Sequence, residues 1–332
     1  MNGKKKRIAV LTSGGDAPGM NAAVRAVVRT AMSSGLECVG IRRGWSGLIN
    51  SDFIRMNSAS VSHIINKGGT VLYTARSKEF MTAEGRSQAI RTCKLLGLDG
   101  IVAIGGDGTF RGALALSRQV AETGHKLDVV GIPATIDNDI SCSHYTIGFD
   151  TACNTAIDCI DKLRDTMQSH ERCSVVEVMG RHAGYLALYV GIAVGATAVL
   201  IPERPLNFQE DVVDKIRRAR LAGSTHYMIV VAEGAGNAYE IARMIHEEVG
   251  IDPRVTVLGH IQRGGSPTAR DRETASRMGY EAVKCLLANK GNRVIGTSVG
   301  KIVDMDMEEA LVMTKPFQME RYDILNALTN SI

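Results

Sequence analysis

The sequence has few aromatic residues, little net charge and no closely paired cysteines. Aromatic residues make up 5% of its 332 residues, whereas glycine occurs 35 times. The 39 basic and 35 acidic residues leave a net charge of +4, too small a field to indicate nucleic-acid binding by itself. The basic run 4–7 directly precedes the first apolar stretch and is typical of a solvated tail. We therefore expect no nucleic-acid partner.

The seven cysteines include no C-x-x-C pair, and their number is odd. Both facts argue against a disulfide framework or a zinc site and indicate buried free thiols in a reducing compartment. The first apolar stretch, residues 8–11, is too short for a signal peptide. The most apolar long stretch, residues 183–201, contains three glycines and predicts a buried helix followed by a strand instead of a membrane span. We therefore expect a cytoplasmic protein without a membrane partner.

Short β-branched runs alternate with amphipathic stretches along the whole chain, which is long enough for about two domains. Continuous apolar strands separated by helices predict an α/β fold with a parallel sheet covered on both faces. The predicted strands are residues 8–12, 100–106, 128–133, 173–180, 198–202, 226–234 and 254–260. The predicted helices are residues 21–32, 110–122, 151–168, 208–221, 237–249 and 269–289.

Polar, glycine-rich clusters directly follow six of these strands. In open α/β sheets, ligands bind beyond the carboxyl ends of the strands. The clusters come from both halves of the chain, so we expect them to meet in one cleft between two α/β domains. Their sequences are TSGGDAPG, GGDGTFRG, PATIDNDI, MGRHAG, AEGAG and GHIQRGG.

The first two clusters predict phosphate binding, because each combines a strand, a glycine turn and the amino end of a helix. No Gly-Lys-Ser/Thr follows the first cluster, so it is not a Walker P-loop. Gly106 and Gly108 allow close backbone approach to phosphates, and the Asp107 carboxylate suits Mg²⁺. Thr109 is also a good cap for the next helix. The GGDGT motif occurs in NAD kinases and lipid kinases too, so it indicates a phosphoryl donor without naming an acceptor.

The TIDND run (135–139) places two carboxylates two residues apart. In extended backbone Asp137 and Asp139 would point the same way, so that one could take a proton while the other lies nearer a metal ion. An Asp-Asn-Asp run is also good turn material. The spacing alone leaves both interpretations open.

Five arginines lie in or near these clusters. Guanidinium groups offer paired donors to phosphate oxygens, so their grouping with acids and glycines favours a phosphorylated substrate. They are Arg76, Arg172, Arg181, Arg254 and Arg263.

Taken together, these motifs resemble those of the bacterial-type 6-phosphofructokinases over nearly the whole chain. The matching strings are TSGGDAPGMNAA, IGGDGT, TIDNDI, YTIGFDTA, CSVVEVMGR and TVLGHIQRGGSP. The resemblance implies phosphoryl transfer from MgATP to the 1-hydroxyl of fructose 6-phosphate, giving fructose 1,6-bisphosphate and ADP in glycolysis.

The resemblance also implies a homotetramer whose subunits have two Rossmann-like, three-layer domains with mostly parallel sheets and an active site in the cleft between them. Residues 1–148 and 262–312 would form the ATP-binding domain. Residues 149–261 and 313–332 would form the sugar-phosphate-binding domain.

Carried over position by position, the family's functional residues fall on the clusters. Asp137 would be the base that accepts the sugar hydroxyl proton, with Arg76, Arg181 and Thr135 as further catalytic residues. The implied ATP ligands are Gly15, Arg76, Ser77, Gly106, Asp107, Gly108 and Thr109, with Asp107 and Asp139 for Mg²⁺. The implied sugar-phosphate ligands are Thr135, Ile136, Asp137, Arg172, Met179, Gly180, Arg181, Glu233, Arg254, His260, Ile261, Gln262 and Arg263.

Arg172 and Arg254 would reach the 6-phosphate from a neighbouring subunit. Trp45, which follows a glycine, is a weaker candidate for contact with adenine.

Several alternatives compete with the ATP-dependent kinase. Pyrophosphate-dependent relatives usually carry Asp at the position of Gly108 and Lys at that of Ala134, and neither is present. Ala134 also departs from the glycine that is usual in ATP-dependent members. A catalytically silent regulatory subunit is disfavoured by the intact acids and arginines, and NAD or lipid kinases would not explain GHIQRGG. No G-x-G-x-x-G follows a strand, which argues against a Rossmann dehydrogenase.

The family's effector site, which binds ADP or phosphoenolpyruvate between subunits, is altered in this sequence. Arg25, Arg29, Arg164 and His226 match basic positions of that site. Ser58, Ser224 and Thr225 stand where basic residues are usual, and Thr197 replaces the metal-binding acid. We therefore expect a weak or absent response to both effectors.

Overall fold

The computed structural model describes residues 6–170 and 172–330. The chain divides into two compact units. The first comprises residues up to Thr135, Ile140–Asp150 and Arg263–Lys315. The second comprises Ile136–Asp139, Thr151–Gln262 and the chain from Pro316 onward.

The first unit is built on a seven-stranded sheet. Its strands are β1 (Arg7–Ser13), β2 (Glu37–Ile41), β3 (Phe53–Met56), β4 (Gly100–Gly105), β5 (Asp128–Pro133), β10 (Arg293–Ser298) and β11 (Lys301–Asp306). Their order in the sheet is β11-β10-β5-β4-β1-β2-β3. The pairs β2–β3 and β10–β11 are antiparallel and the remaining pairs are parallel.

Helices cover the central strands of this sheet, and the strands are accordingly continuous apolar runs. Every residue of β4 is buried, as is all of β1 except Arg7. Gly279 lets two helices approach closely, because a Cβ there would lie 2.6 Å from Cβ of Ala26. The helices of this unit are α1 (Met20–Ser33), α2 (Gly44–Ile49), α3 (Ala83–Leu96), α4 (Asp107–Glu122), α9 (Ala269–Leu287) and α10 (Met307–Val312).

The second unit contains a four-stranded, fully parallel sheet. Its strands are β6 (Cys173–Val178), β7 (Ala198–Leu200), β8 (Tyr227–Ala232) and β9 (Arg254–Val257), in the order β7-β8-β6-β9. Its core is formed by Val175, Ile229 and Val231 with apolar residues of the flanking helices. The helices are α5 (Phe149–His170), α6 (Tyr185–Ala193), α7 (Asp214–Leu221), α8 (Ala238–Val249) and α11 (Met319–Asn330).

The predicted α/β class with mostly parallel sheets is confirmed, as is the helix followed by a strand within residues 183–201. Five predicted strands extend one to three residues too far at their carboxyl ends: those at 100–106, 173–180, 198–202, 226–234 and 254–260. For β9, which ends at Val257, the reason is that Gly259 adopts φ 54° and a 3₁₀ turn spans Gly259–Arg263. The predicted free thiols are also found, with six of the seven cysteines buried. Within residues 6–170 and 172–330, no helix combines the length and hydropathy that a membrane crossing requires.

Candidate active site

The glycine-rich loops of the first unit lie at the point where the strand order reverses. In the sheet, β2 lies beside β1 on one side and β4 lies beside β1 on the other, so the strand order reverses at β1. The last residues of β1 and β4, Ser13 and Gly105, are register partners. Ligands bind at such switch points in open α/β sheets, beyond the carboxyl ends of the strands.

Thr109 fastens α4 to the end of β1. Its Oγ1 donates to the Ser13 carbonyl oxygen over 3.1 Å. The interpretation of Thr109 as a helix cap is wrong, because α4 begins at Asp107 with Gly106 at the capping position. A Cβ at Gly105 would lie 2.3 Å from the Ser13 oxygen, so glycine is required for this close approach.

Arg263 lies against the loop that follows β1. Its Nη1 donates to the Asp16 carbonyl oxygen over 3.0 Å and lies 2.5 Å from the place that a Cβ of Gly15 would take. A side chain at Gly15 would displace this guanidinium. Gly15, which is predicted to bind the nucleotide, thus lies beside Arg263, which is predicted to bind the sugar phosphate. Both residues belong to the first unit.

The segment that carries Arg76 and Ser77 is attached to the same loop. Thr74 Oγ1 donates to the Gly14 carbonyl oxygen over 2.7 Å. Ser77 Oγ accepts from the Phe80 N–H over 3.1 Å, which fixes the start of a 3₁₀ turn, and Arg76 is exposed. These contacts bring the predicted residues 76–77 to the side of the loop after β1.

Trp45 does not serve as an adenine contact in this structure. It is 4% exposed and stacks on Phe80, with ring centroids 4.6 Å apart. The expected contact with adenine is therefore wrong, and Trp45 is a core residue of α2.

In the second unit, the Met179–Arg181 turn follows β6 and has an unusual backbone. Gly180 has φ 147° and Arg181 has φ 56°. Gln262 Oε1 accepts from the Met179 N–H over 2.9 Å. Glu233 Oε1 accepts from the N–H groups of Gly180 and Arg181 over 3.3 and 2.5 Å. The turn is therefore held by side chains that follow two other strands, β8 and β9.

These hydrogen bonds change the interpretation of two predicted sugar ligands. Glu233 uses one carboxylate oxygen, Oε1, to hold the turn. Gln262 is 0% exposed, so in this structure it positions the turn and does not face a ligand. His260 and Ile261 of the same 3₁₀ turn are exposed. Sequence reasoning missed the supporting role because nothing in the GHIQRGG string reveals that Gln262 points inward.

Arg172 and Arg254 lie at the opposite end of the strands from Arg181. Arg172 immediately precedes β6, and Arg254 begins β9, next to Ser174 in register. The six residues of β6 span about 20 Å, and Arg181 follows its other end. Within one chain, the backbones of these two arginines therefore lie about 20 Å along the sheet from that of Arg181.

The Asp137 loop is not an extended segment. Asn138 adopts φ 52°, so the expectation that Asp137 and Asp139 point the same way along extended backbone is wrong. Asp137 is 7% exposed, Ile136 is buried and Asp139 is half-buried. Preceding them, the Thr135 carbonyl oxygen accepts from Thr146 Oγ1 over 2.7 Å.

Two predicted effector residues, Arg164 and His226, line one cavity of about 210 Å³ in the second unit. Thr197 and Ser224 line it as well. Lys215 adds a basic group that sequence reasoning missed, but burial lowers its pKa and its Nζ donates to Asn326 Oδ1 over 2.7 Å. The other two predicted effector residues, Arg25 and Arg29, lie on α1 of the first unit.

The acidic residues fit a metal ion that is held mainly by substrate. The described part of the chain contains no group of three or more Asp, Glu, His or Cys side chains arranged to hold a metal. Mg²⁺ in kinase sites is bound through one or two carboxylates together with phosphates and water. Asp107, exposed on the first turn of α4, fits that requirement.

Known proteins resemble this chain over nearly its whole length. ATP-dependent 6-phosphofructokinases of Clostridium botulinum and Clostridium acetobutylicum are 53% identical over 324 residues, which is 98% of this chain and 99% of theirs. A phosphofructokinase structure from Saccharomyces cerevisiae superimposes with a TM-score of 0.87 at 37% identity, over 98% of this chain and 47% of its own. A pyrophosphate-dependent phosphofructokinase structure from Marinobacter aquaeolei gives a TM-score of 0.84 at 22% identity over 95% of this chain and 86% of its own, a likeness of fold alone.

The family profile described as phosphofructokinase matches residues 7–286. With that match and the relatives at 53% identity, the chain belongs to the phosphofructokinase family.

Proposed function

We propose that the protein is an ATP-dependent 6-phosphofructokinase. The observation that carries this proposal is the 53% identity to enzymes of that name over 98% of the chain. The glycine-rich loops at the β1–β4 switch point support the assignment of ATP to the first unit. The Met179–Arg181 turn, with Glu233 beside it, supports the assignment of the sugar phosphate to the second.

In the proposed reaction, the 1-hydroxyl oxygen of fructose 6-phosphate attacks the γ-phosphorus of ATP. The bond from that phosphorus to the bridging oxygen breaks, ADP leaves, and Asp137 accepts the hydroxyl proton. Arg76 and Arg181 offset the charge on the transferred group, and Thr135 orients it. Asp107 and Asp139 would hold Mg²⁺, which supplies further positive charge to the phosphates.

We further propose a homotetramer in which subunits share active sites. The support is the distance of about 20 Å that separates the two ends of β6. Arg172 and Arg254 lie at the amino end of the strands, and Arg181 follows the carboxyl end. This separation favours the assignment of Arg172 and Arg254 to the 6-phosphate bound by a neighbouring subunit.

The choice of ATP over pyrophosphate is supported at two positions. Apart from its chain neighbours and the backbone of its own helix, no described residue has an atom within 4 Å of the place that a Cβ of Gly108 would take, so this helix start leaves room for a ligand. Ala134 is 1% exposed and bridges to Ile147, in a place where a lysine would have to bury its charge.

A coupled assay with fructose 6-phosphate tests the proposal directly. MgATP should support turnover, and pyrophosphate with Mg²⁺ should give no rate above background. Turnover with pyrophosphate that equals or exceeds turnover with ATP would reject the donor assignment. Absence of turnover with both donors would reject the kinase.

A further inference from the structure

Arg111 and Asp107 form an ion pair on the first two turns of α4. Arg111 Nε donates to Asp107 Oδ2 over 2.7 Å, and the two side chains are 57% and 48% exposed. Side chains on a helix lean toward its amino end, so the Arg111 guanidinium reaches back toward the first turn. That turn follows the carboxyl end of β4, where the proposed nucleotide site lies.

The position of Arg111 is electrostatically unfavourable unless an anion faces it. The amino end of a helix carries partial positive charge and favours anions. The Asp107 carboxylate offsets the positive charge of Arg111, but an exposed ion pair of this kind contributes little to the stability of the fold. The Asp107 carboxylate is also the proposed ligand for Mg²⁺. When the metal is bound, Arg111 would therefore lose its ion pair with Asp107.

A phosphate oxygen is the ligand that resolves this conflict. Gly108 lies between the two charged residues in sequence. Apart from its chain neighbours and the backbone of α4, no described residue has an atom within 4 Å of the place that a Cβ there would take. Arginine is well suited to phosphate because its guanidinium offers several donors in a plane. In each state every charge then has a partner of opposite sign.

We propose that Arg111 is a nucleotide-binding residue that exchanges partners. Without nucleotide it pairs with Asp107. When MgATP binds, the Asp107 carboxylate leaves Arg111 and binds the metal, and the Arg111 guanidinium binds a phosphate oxygen. This inference rests on the proposed function, since it assumes that the loop after β4 binds ATP.

Equilibrium binding of the non-hydrolysable analogue β,γ-imido-ATP, measured by titration calorimetry with Mg²⁺ and with EDTA, tests the exchange. Arg111→Met should raise the Kd of the Mg²⁺-bound analogue about tenfold or more, because it removes the charge-assisted contact to the phosphate oxygen. The Kd of the metal-free analogue should rise less, about threefold, because Arg111 then stays paired with Asp107 and its removal only leaves that carboxylate facing the phosphates. Mg²⁺ therefore tightens binding less in the variant than in the wild type. Arg111→Lys should restore most of the affinity.

Arg243→Met is the matched control, because Arg243 and Glu247 on α8 form a pair with the same i,i+4 spacing and the same 2.7 Å distance. Its two Kd values should equal those of the wild type. Kd values for Arg111→Met within twofold of wild type under both conditions overturn the inference while leaving the kinase proposal intact. The inference is also overturned if the wild type turns over ATP in the coupled assay but Mg²⁺ changes the Kd of the analogue by the same factor in the wild type and in Arg111→Met. Failure of the wild type to bind the analogue overturns both.

Discussion

Glu233 fixes the backbone of Arg181: its Oε1 accepts from the Arg181 N–H over 2.5 Å. Arg181 has φ 56°, a left-handed conformation that costs a non-glycine residue about 1–2 kcal/mol. The hydrogen bond helps to hold this unfavourable turn. The direction of the Arg181 side chain after β6 therefore depends on a residue that follows β8.

This relationship predicts how Glu233→Met behaves. Without the acceptor the turn loosens, and a charge-assisted hydrogen bond of about 1.5–3 kcal/mol is lost, so kcat/KM for fructose 6-phosphate should fall roughly 10- to 150-fold. The KM for ATP should stay within about twofold. Glu233→Gln keeps an oxygen acceptor and should lose less. Equal losses in Glu233→Gln and Glu233→Met would contradict a role in holding the turn.

Shared active sites predict complementation between two impaired variants. Arg254→Ser should raise the KM for fructose 6-phosphate far more than the KM for ATP, because it removes a contact to the 6-phosphate. Tetramers reassembled from equal amounts of Arg254→Ser and Asp137→Ser chains should regain activity, since about a quarter of random sites then combine two intact contributions. Each variant reassembled alone is the control. A mixture no more active than its parents would show that each chain uses its own Arg254.

A stabilising substitution is predicted at the turn between β10 and β11. Val299 is 85% exposed and has φ 46°, followed by Gly300 with φ 75°. Two-residue hairpin turns of this kind favour Asn-Gly, and a β-branched residue at positive φ is strained. Val299→Asn should therefore raise the stability by about 1 kcal/mol and the Tm by roughly 2 °C. Differential scanning calorimetry checks this, with Val299→Thr as a β-branched control that should bring no gain.

The altered effector site predicts weak regulation. Thr197 is engaged in backbone pairing, where its Oγ1 accepts from the Met228 N–H over 3.1 Å. An effector shifts an equilibrium only through different affinities for the two conformations. ADP and phosphoenolpyruvate at millimolar concentrations should leave the half-saturation concentration of fructose 6-phosphate within about twofold, because each missing charge-assisted contact removes roughly 1.5–3 kcal/mol of binding. A several-fold shift at low effector concentration would refute this.

Much of the parallel core was predictable because buried strands are continuous apolar runs. Residues 128–133 were predicted with the observed bounds of β5. Four strands were missed, namely β2, β3, β10 and β11. The edge strands β3 and β11 are mostly half-buried, so their periodicity is weak. The inner strands β2 and β10 each carry a glycine within a short apolar run. The helix α3 was missed although Thr82 caps it, because half of its residues are charged or polar and its apolar pattern is weak.

The candidate site was predictable in composition but not in geometry. The motifs identified Gly15, Asp107 and Arg181. They did not reveal that Gln262 points inward to Met179, because a side chain's direction within a 3₁₀ turn depends on tertiary packing. The left-handed Asn138 was equally hidden, since Asn-Asp runs fit both turns and extended loops.

The central claim is that this chain transfers the γ-phosphoryl group of ATP to the sugar 1-hydroxyl with Asp137 as the base. The most direct measurement is ³¹P NMR of fructose 6-phosphate with MgATP, run with the wild type and with Asp137→Ser. The account predicts resonances of fructose 1,6-bisphosphate and ADP in equal amounts, formed roughly 10²–10⁴-fold more slowly by the variant. A product other than fructose 1,6-bisphosphate, or a variant within about threefold of the wild-type rate, would contradict it.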